Sequence, residues 1–529
     1  MDVFMLDDSR RKVGVPLALT LACLAYLASM PARAQQPAPK PAPGDATEWP
    51  ALATAAPAAP APQAATWTVQ PTQTGNTPQV VRSAQTAQSP PQAMQVAQAT
   101  PTAQAAQPPP ASSQPVEEEA EQTSTEQGQT HLDESFGPRS HDEWVRDTRR
   151  KAWADTDWNI QLRSYYLDRD KYDDSQSEAW AIGGSAGFKT GYFREIFSLG
   201  ATLYTSQKLH GPDDKDGTLL LQPGQDGYTV LGELYGEFKL TDDIRATVGA
   251  RGLDTPYINR NDSRMTPNTF LAALVQGQHG NGTDESQWRW GAGYVDKIKE
   301  RNSDKFVSMS DDAGAPDDVD RGVYAVGGNY KLGELSIGAI DYYSNDIINI
   351  FYTEAKYGFP IGESLKLRMA FQYTDQQSVG DELLQGTDFS AHQWGAKTEL
   401  AFGGALFTVA YTSAGGDANM QAPWSGYPGY TSVQVEDFNR EGEDAWLARV
   451  GYTPKMVPGL SMYALYVSGS DPDDPGQFSR DETDFNVQWS PPEGVLKGLM
   501  LRLRYAKVDQ DNDTDLSDLR VMVFYDVQM

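Results

Sequence analysis

Cysteine is nearly missing from this chain. The only one is Cys23, and it lies inside an N-terminal targeting pattern. Arg10, Arg11 and Lys12 form a basic start, Val13 to Leu27 an apolar run, and Ala32-Arg33-Ala34 a small-residue cleavage site before Gln35. A lipid anchor on Cys23 fits less well, because Thr20 precedes it by three positions and the apolar run continues past it. Once residues 1–34 are removed as a signal peptide, the chain can form no disulfide and no cysteine–zinc site. Histidine is scarce too. His131, His141, His210, His279 and His392 are the whole set, and none stands at zinc-ligand spacing or in a motif with a serine. These absences exclude the commoner enzyme chemistries and imply no metal and no cofactor. No apolar run approaches the ~20 residues that a transmembrane helix requires. Basic residues are outnumbered, 43 Lys and Arg against 72 Asp and Glu, for a net charge of -29. That balance excludes nucleic acid as a natural partner.

Three textures divide what remains. Residues 35–138 are rich in Ala, Pro, Gln and Thr, with Pro108-Pro109-Pro110 and the acidic run Glu117-Glu118-Glu119. They read as a disordered periplasmic extension. Residues 139–156, which mix Trp144, Val145 and Trp153 with Arg149, Arg150 and Lys151, read as a short helix. From 157 to 529 the pattern becomes two-faced.

The stretch Leu365-Lys366-Leu367-Arg368-Met369-Ala370-Phe371-Gln372-Tyr373 shows that pattern. Side chains alternate faces along a strand, so one face is apolar and the other carries the lysine, arginine and glutamine. Repetition yields about 18 strand segments, within the even-numbered range of bacterial outer-membrane barrels. They are expected to begin near Trp158, Glu178, Glu195, Tyr228, Asp243, Thr269, Gln287, Asp320, Glu334, Ile347, Glu363, Ala391, Gly404, Glu443, Gly459, Arg480, Gly498 and Ser517. Tight turns such as Thr241-Asp242 and Gly403-Gly404 alternate with long links at 207–227, 253–268, 300–319, 375–390 and 414–442. That asymmetry belongs to outer-membrane barrels, whose short turns face the periplasm. Trp158, Tyr166, Tyr357, Phe359, Trp394, Phe402, Trp446, Tyr452, Trp489 and Tyr505 fall at strand ends on the apolar face, as interfacial girdles require. The fold class is therefore all-β: a transmembrane antiparallel barrel of about 18 strands, with the N-terminus periplasmic. A large soluble β-sandwich or propeller would share the alternation. No propeller-length repeat is visible, and the signal peptide fits export.

With the apolar face toward lipid, the opposite face lines a lumen. A basic row follows: Arg163, Arg245, Arg251, Lys366, Arg368, Arg449, Arg502 and Arg504, accompanied by Arg289, Lys356, Lys397 and Arg520. A cation on the lipid face would cost about 2–4 kcal/mol at the membrane midplane. Cations in series down a pore pass carboxylates between neighbours. The competing reading is that they pair with lumen acids such as Glu354, Glu399 and Asp484 and only stiffen the wall. The acidic pairs fall in the long links instead, as at Asp213-Asp214, Asp311-Asp312 and Asp381-Glu382. The run from Asp509 to Asp515 lacks the glycine and terminal glutamate of an EF-hand calcium loop.

Asn261-Asp262-Ser263-Arg264-Met265-x-Pro267-x-Thr269-Phe270 resembles the OprD family of substrate-specific outer-membrane porins. So do Leu162-Arg163-Ser164-Tyr165-Tyr166-Leu167-Asp168-Arg169-Asp170 and Glu493-Gly494-Val495-Leu496-Lys497-Gly498-Leu499, the latter followed by Leu501-Arg502-Leu503-Arg504-Tyr505-Ala506. The similarity runs over about residues 156–529. It implies an 18-strand barrel whose third external loop folds inward, placing Asp262, Ser263 and Arg264 at the constriction. Alternatively, Asp262 and Arg264 pair only to pin that loop. The family's inner basic row matches Arg163, Arg449, Arg502 and Arg504. Leu465 and Ser468 stand where relatives carry arginines, so the row is thinner. Met529 ends the chain where such barrels usually end in an aromatic residue, and the long N-terminal extension is not a family feature.

The resulting expectation is a porin for passive, selective diffusion of small carboxylate-bearing solutes, organic acids or amino acids. Its other partners would be outer-membrane lipid, lipopolysaccharide and the barrel assembly machinery, and its state a monomer or weak trimer. The alternative is an interaction or adhesion barrel whose acidic loops or N-terminal tether bind a partner, with conductance incidental.

Overall fold

The computed structural model describes residues 155–280, 286–361, 365–470, 472–474, 476–512 and 514–527. The signal peptide, the extension, Met529 and nearly all of the expected short helix lie outside the described residues. The strands are β1 (Asp157–Asp170), β2 (Gln176–Lys189), β3 (Phe197–His210), β4 (Tyr228–Lys239), β5 (Ile244–Arg251), β6 (Thr269–His279), β7 (Gln287–Lys299), β8 (Val307–Ser308), β9 (Val323–Leu332), β10 (Leu335–Ser344), β11 (Ile348–Pro360), β12 (Leu365–Gln377), β13 (Ser390–Phe402), β14 (Ala405–Gly416), β15 (Asp444–Tyr452), β16 (Leu460–Ser470), β17 (Arg480–Trp489), β18 (Leu499–Gln510) and β19 (Asp515–Asp526). All belong to one sheet. β1 pairs antiparallel with both β2 and β19, and this closes the barrel. β8 pairs only with the end of β7, so the other eighteen strands form the wall. Among the described residues, closure leaves the eighteen-strand wall without a free edge strand.

The strand starts agree with the alternation to within a few residues. The link expected at 300–319 holds more structure than its composition suggests. It contains β8 and one helical turn, Met309–Asp312, capped by Ser308, whose side chain accepts a bond from the Asp311 amide. The Gly403-Gly404 turn joins β13 to β14 with both residues at positive φ, 61° and 88°. A two-residue hairpin turn of that twist requires such angles, and glycine supplies them without a Cβ clash.

Leu162, Leu203, Val248, Val326, Phe371, Val409, Val450, Phe485 and Leu503 are all exposed on the outer face. Trp158, Tyr357, Phe359, Trp394, Phe402, Trp446, Tyr452 and Tyr505 join them near the strand ends. Tyr166 departs from the girdle expectation. It is 6% exposed, and its hydroxyl donates to Glu178 at 3.0 Å, so neighbours cover it.

The lumen is partly filled. Tyr257 and Ile258 from the 252–268 loop, Met309, Phe389, and Trp424 and Tyr427 from the 417–443 loop pack on Ile340, Tyr342, Ile350 and Tyr352 of the inner wall. Rings meet edge-on, Tyr257 with Tyr342 at 5.9 Å and with Tyr427 at 6.2 Å. Each buried ring contributes about 4–6 kcal/mol as an upper bound at ~25 cal/mol per Å². Inward loops with this much apolar surface hold one wall of the barrel and leave the charged residues to the other.

Candidate functional site

Alternation and register put the basic row on the lumen face. Around β15 to β19 it is built as a unit. The Arg449 guanidinium lies 4.0 Å above the Tyr463 ring, and Arg504 Nη2 donates to the hydroxyl of the same tyrosine at 3.2 Å. Next to it, Arg502 Nε donates to Asn486 Oδ1 at 2.6 Å. Arg504 Nε is buried and makes no hydrogen bond among the described residues. Tyr463 is therefore a structural member of the row, although no sequence signal marks it beyond its place on the inner face.

The other cations have carboxylate neighbours. Glu237 gathers Lys189 at 3.0 Å, Arg245 at 3.6 Å and Arg251 at 3.8 Å, and it accepts a bond from the Tyr192 hydroxyl. Arg368 lies 3.7 Å from Glu399, and Lys356 lies 3.4 Å from Glu354. Lys366 and Lys331 are exposed at the short-turn rim of the lumen. The row is thus mixed: arginine–tyrosine packing on one arc and ion pairs on the other.

The 252–268 loop runs inward and is pinned to the wall. Asp262 takes both guanidinium nitrogens of Arg163, at 2.5 and 2.6 Å, a bidentate pair. Arg163 also donates to the Arg264 carbonyl at 3.1 Å and stacks 4.7 Å from Phe524. Ser263 Oγ donates to Asn261 Oδ1 and accepts from Arg301, both at 2.9 Å. The partner of Asp262 is thus Arg163 and not Arg264. Arg264 itself is fully buried, its Nε donating to the Thr218 carbonyl at 2.8 Å and its Nη1 to the Ser263 carbonyl at 3.0 Å. Burial, with Arg520 and Arg301 nearby, holds its pKa well below the usual guanidinium value. It works as a loop anchor facing the 211–227 link.

A second inward loop, 417–443, reads in the sequence only as a long link. Glu482 on β17 accepts the amides of Val435 and Glu436, both at 2.8 Å, and Asp484 accepts the Gln434 amide at 3.2 Å. Asp518 on β19 binds Arg169 at 2.6 Å, Arg520 at 2.5 Å and the Gln434 side-chain amide at 2.8 Å. Arg520 in turn donates to the Gln434 carbonyl at 3.0 Å. The two loops touch where Asn261 Nδ2 donates to the Ser425 carbonyl at 2.8 Å. One signal for this fold does exist: Trp424, Tyr427, Tyr430 and Phe438 crowd an external link, where polar residues are the norm.

At the Asp509–Asp515 turn, Lys507 reaches Asp509 at 2.6 Å and Asp515 at 3.5 Å. The turn therefore carries its own counter-charge. Among the described residues, no cluster of three or more His, Cys, Asp or Glu could hold a metal ion.

The family model for the outer membrane porin, OprD family, matches residues 152–529. Porin D of Pseudomonas aeruginosa is 24% identical over 413 residues, covering 70% of this chain and 90% of that protein. Among solved structures, Pseudomonas aeruginosa OccK9 (OpdG) superposes with a TM-score of 0.65 at 22% identity, covering 72% of this chain and all of that one. Pseudomonas aeruginosa OpdK, solved with vanillate, superposes with a TM-score of 0.63 at 20% identity, covering 71% of this chain and all of that one.

Proposed function

The chain belongs to the OprD family of outer membrane porins, and from that premise we propose that its lumen passes small carboxylate-bearing solutes, organic acids or amino acids, by passive diffusion. Porins of this family are outer-membrane channels and not enzymes. The observation that carries the reading is the Arg449–Tyr463–Arg504 stack beside Arg502 on the inner wall. A carboxylate entering there gains charge-assisted bonds from side chains already held in place. The tyrosine faces suit an aromatic or aliphatic body behind the carboxylate. OpdK was solved with vanillate, an aromatic carboxylate, which fits the same chemistry. The constriction would be the Asp262–Arg163 contact, with Ser263 held behind it.

Liposome swelling tests the proposal. Proteoliposomes of the purified full chain are challenged with aliphatic carboxylates, aromatic carboxylates, amino acids and an uncharged sugar of equal size. Carboxylates should enter faster than the sugar. Swelling no faster than in empty liposomes, for every solute, defeats the channel reading. Equal rates for carboxylate and sugar defeat only the basic-row selectivity.

A further inference from the structure

One residue of the 252–268 loop stands in water. Among these seventeen positions only Arg260 is exposed, with 45% of its side chain accessible; Asp254, Thr255 and Asp262 are half-buried and the others are buried. The loop lies inside the closed wall. It is tied at Tyr257 to Tyr342 and Tyr352, at Asn261 to Ser425 and at Asp262 to Arg163. The water that reaches Arg260 is therefore the water inside the barrel. A local reversal brings a partner to it. The Thr255 amide and hydroxyl both donate to the Ile258 carbonyl, at 2.9 and 2.8 Å, and Asp254 pairs with Asn259 across this turn. Asp254 Oδ2 then lies 3.1 Å from Arg260 Nη2, and Arg260 is the only side-chain partner of that carboxylate among the described residues. The Arg260 stem runs over Gly252, where an added Cβ would meet its Cγ and Cδ at 2.8 Å. The Arg260 carbonyl accepts the Asn268 amide at 2.7 Å. The base of the side chain is thus fixed and its head is free. Other acids nearby are occupied: Glu233 accepts from Thr202 and from the Gly252 amide, and Asp262 holds Arg163.

We propose that Arg260 is the specificity-determining cation of the inward loop: a passing solute carboxylate replaces Asp254 on its guanidinium, and Asp254 takes the guanidinium back once the solute leaves. This role rests on the passage of carboxylates proposed above and adds which side chain selects them. Accessibility separates Arg260 from its neighbours. Arg163 is buried and bound through two nitrogens to Asp262, and Arg264 is fully buried. A solute displaces partners of that kind only by stranding a buried charge. The Arg260–Asp254 pair stands in water, where an ion pair is worth little. Exchanging one carboxylate for another there is nearly free, so the solute is held briefly and released. The planar guanidinium can take a carboxylate through two parallel bonds, a match that an uncharged amide of the same shape lacks. Asp254 acts as a built-in competitor and lowers the occupancy that an unpaired arginine would give.

The two halves of this ion pair should give effects of opposite sign, which a merely structural pair would not. Proteoliposomes of the full chain are challenged with benzoate and with benzamide, and swelling gives the ratio of the two entry rates. Arg260→Gln should lower the benzoate-to-benzamide ratio by about fivefold, the factor that one unit charge at about 4 Å in water supplies. Asp254→Asn should raise it. Gly252→Ala keeps both charges but displaces the Arg260 stem, and it should lower the ratio by less than Arg260→Gln does. Benzamide entry should stay near that of the natural chain in all three. The proposal is overturned if Arg260→Gln leaves the ratio unchanged, or if Arg260→Gln and Asp254→Asn shift it in the same direction. Entry of neither solute above empty liposomes in the natural chain ends the channel reading, and a second measurement then decides the carboxylate contact by itself. Phenylglyoxal labelling of the purified full chain, read by peptide mass spectrometry, should modify Arg260 before Arg264. Benzoate should slow that modification and benzamide should not. No modification of Arg260, or modification that benzoate leaves unchanged, overturns the proposal whether or not the barrel conducts.

Discussion

In the external half of the lumen, Asp518 has Arg169 at 2.6 Å and Arg520 at 2.5 Å, and all three are buried. At the periplasmic rim, Lys331 and Lys366 stand exposed with their strands' remaining cations around them. The same residue chemistry serves two ends. Buried, hydrogen-bonded pairs hold loop 417–443 in one arrangement, because a charge taken out of water is tolerated only with its partners in place. Exposed and near water, the rim lysines contribute little to any one conformation. They set the potential that a solute meets. The external half is therefore expected to respond to mutation as structure, and the periplasmic half as selectivity.

Breaking the external half should give the largest effect. Asp518→Ala leaves two buried guanidiniums without their carboxylate and removes the shorter of the two bonds that the Gln434 side chain makes to residue 518. Removing one member of such a network costs about 3–5 kcal/mol. The midpoint of barrel unfolding in urea should fall, and single channels should flicker as loop 417–443 loses its hold. An unmoved midpoint with quiet channels would show that Glu482 and Asp484 suffice to dock the loop. The comparison would then lose its external term.

The complementary change lies lower on the wall. Arg502→Ala with Arg504→Ala removes two charges from the inner wall next to Tyr463 and Asn486. At about 1 kcal/mol per charge at short range in water, the anion-over-cation permeability ratio should drop by roughly fivefold for each charge removed. The unfolding midpoint should stay within the range of an ordinary substitution. A large loss of stability with selectivity intact would invert the assignment of the two halves.

Alternation makes most of this molecule legible in its amino-acid order alone. Leu365–Tyr373 reads as part of β12, and its faces are those the sequence suggests, because a pleated strand leaves a side chain only two directions. Closure and strand number follow from repetition. The destinations of the loops do not. Asp262 finds Arg163, 99 residues away, and Gln434 finds Asp518, 84 residues away. No local pattern encodes such a pairing. Tyr463 is hidden for a related reason: its value comes from Arg449 on β15 and Arg504 on β18, both distant in the chain. The density of Trp424, Tyr427, Tyr430 and Phe438 does carry a message. Apolar residues in an external link need burial somewhere, and the barrel interior is where these four find it.

A third expected effect concerns pH and again belongs to the external half. Asp437, in loop 417–443, has its pKa pushed up to about 8 by burial. Glu436 adds to the rise, while the bond from Ser432 and the charges of Arg480 and Arg301 oppose it. In a released loop the same carboxyl returns to its ordinary value near 4. The docked loop therefore binds a proton that the released loop gives up between those limits. Docking is firmest below about pH 4, weakens as pH climbs towards 8, and is flat above that. The direction is opposite to that of a salt-bridged carboxylate. Single-channel recordings should show loop flicker increasing from pH 5 to pH 8, and Asp437→Asn should make the slope shallower. Glu482, Asp484 and Arg520 continue to hold residues 434–436 throughout. Flicker that instead falls as pH rises would mean that Asp437 docks as an anion, and the external half would then be held by paired charge alone.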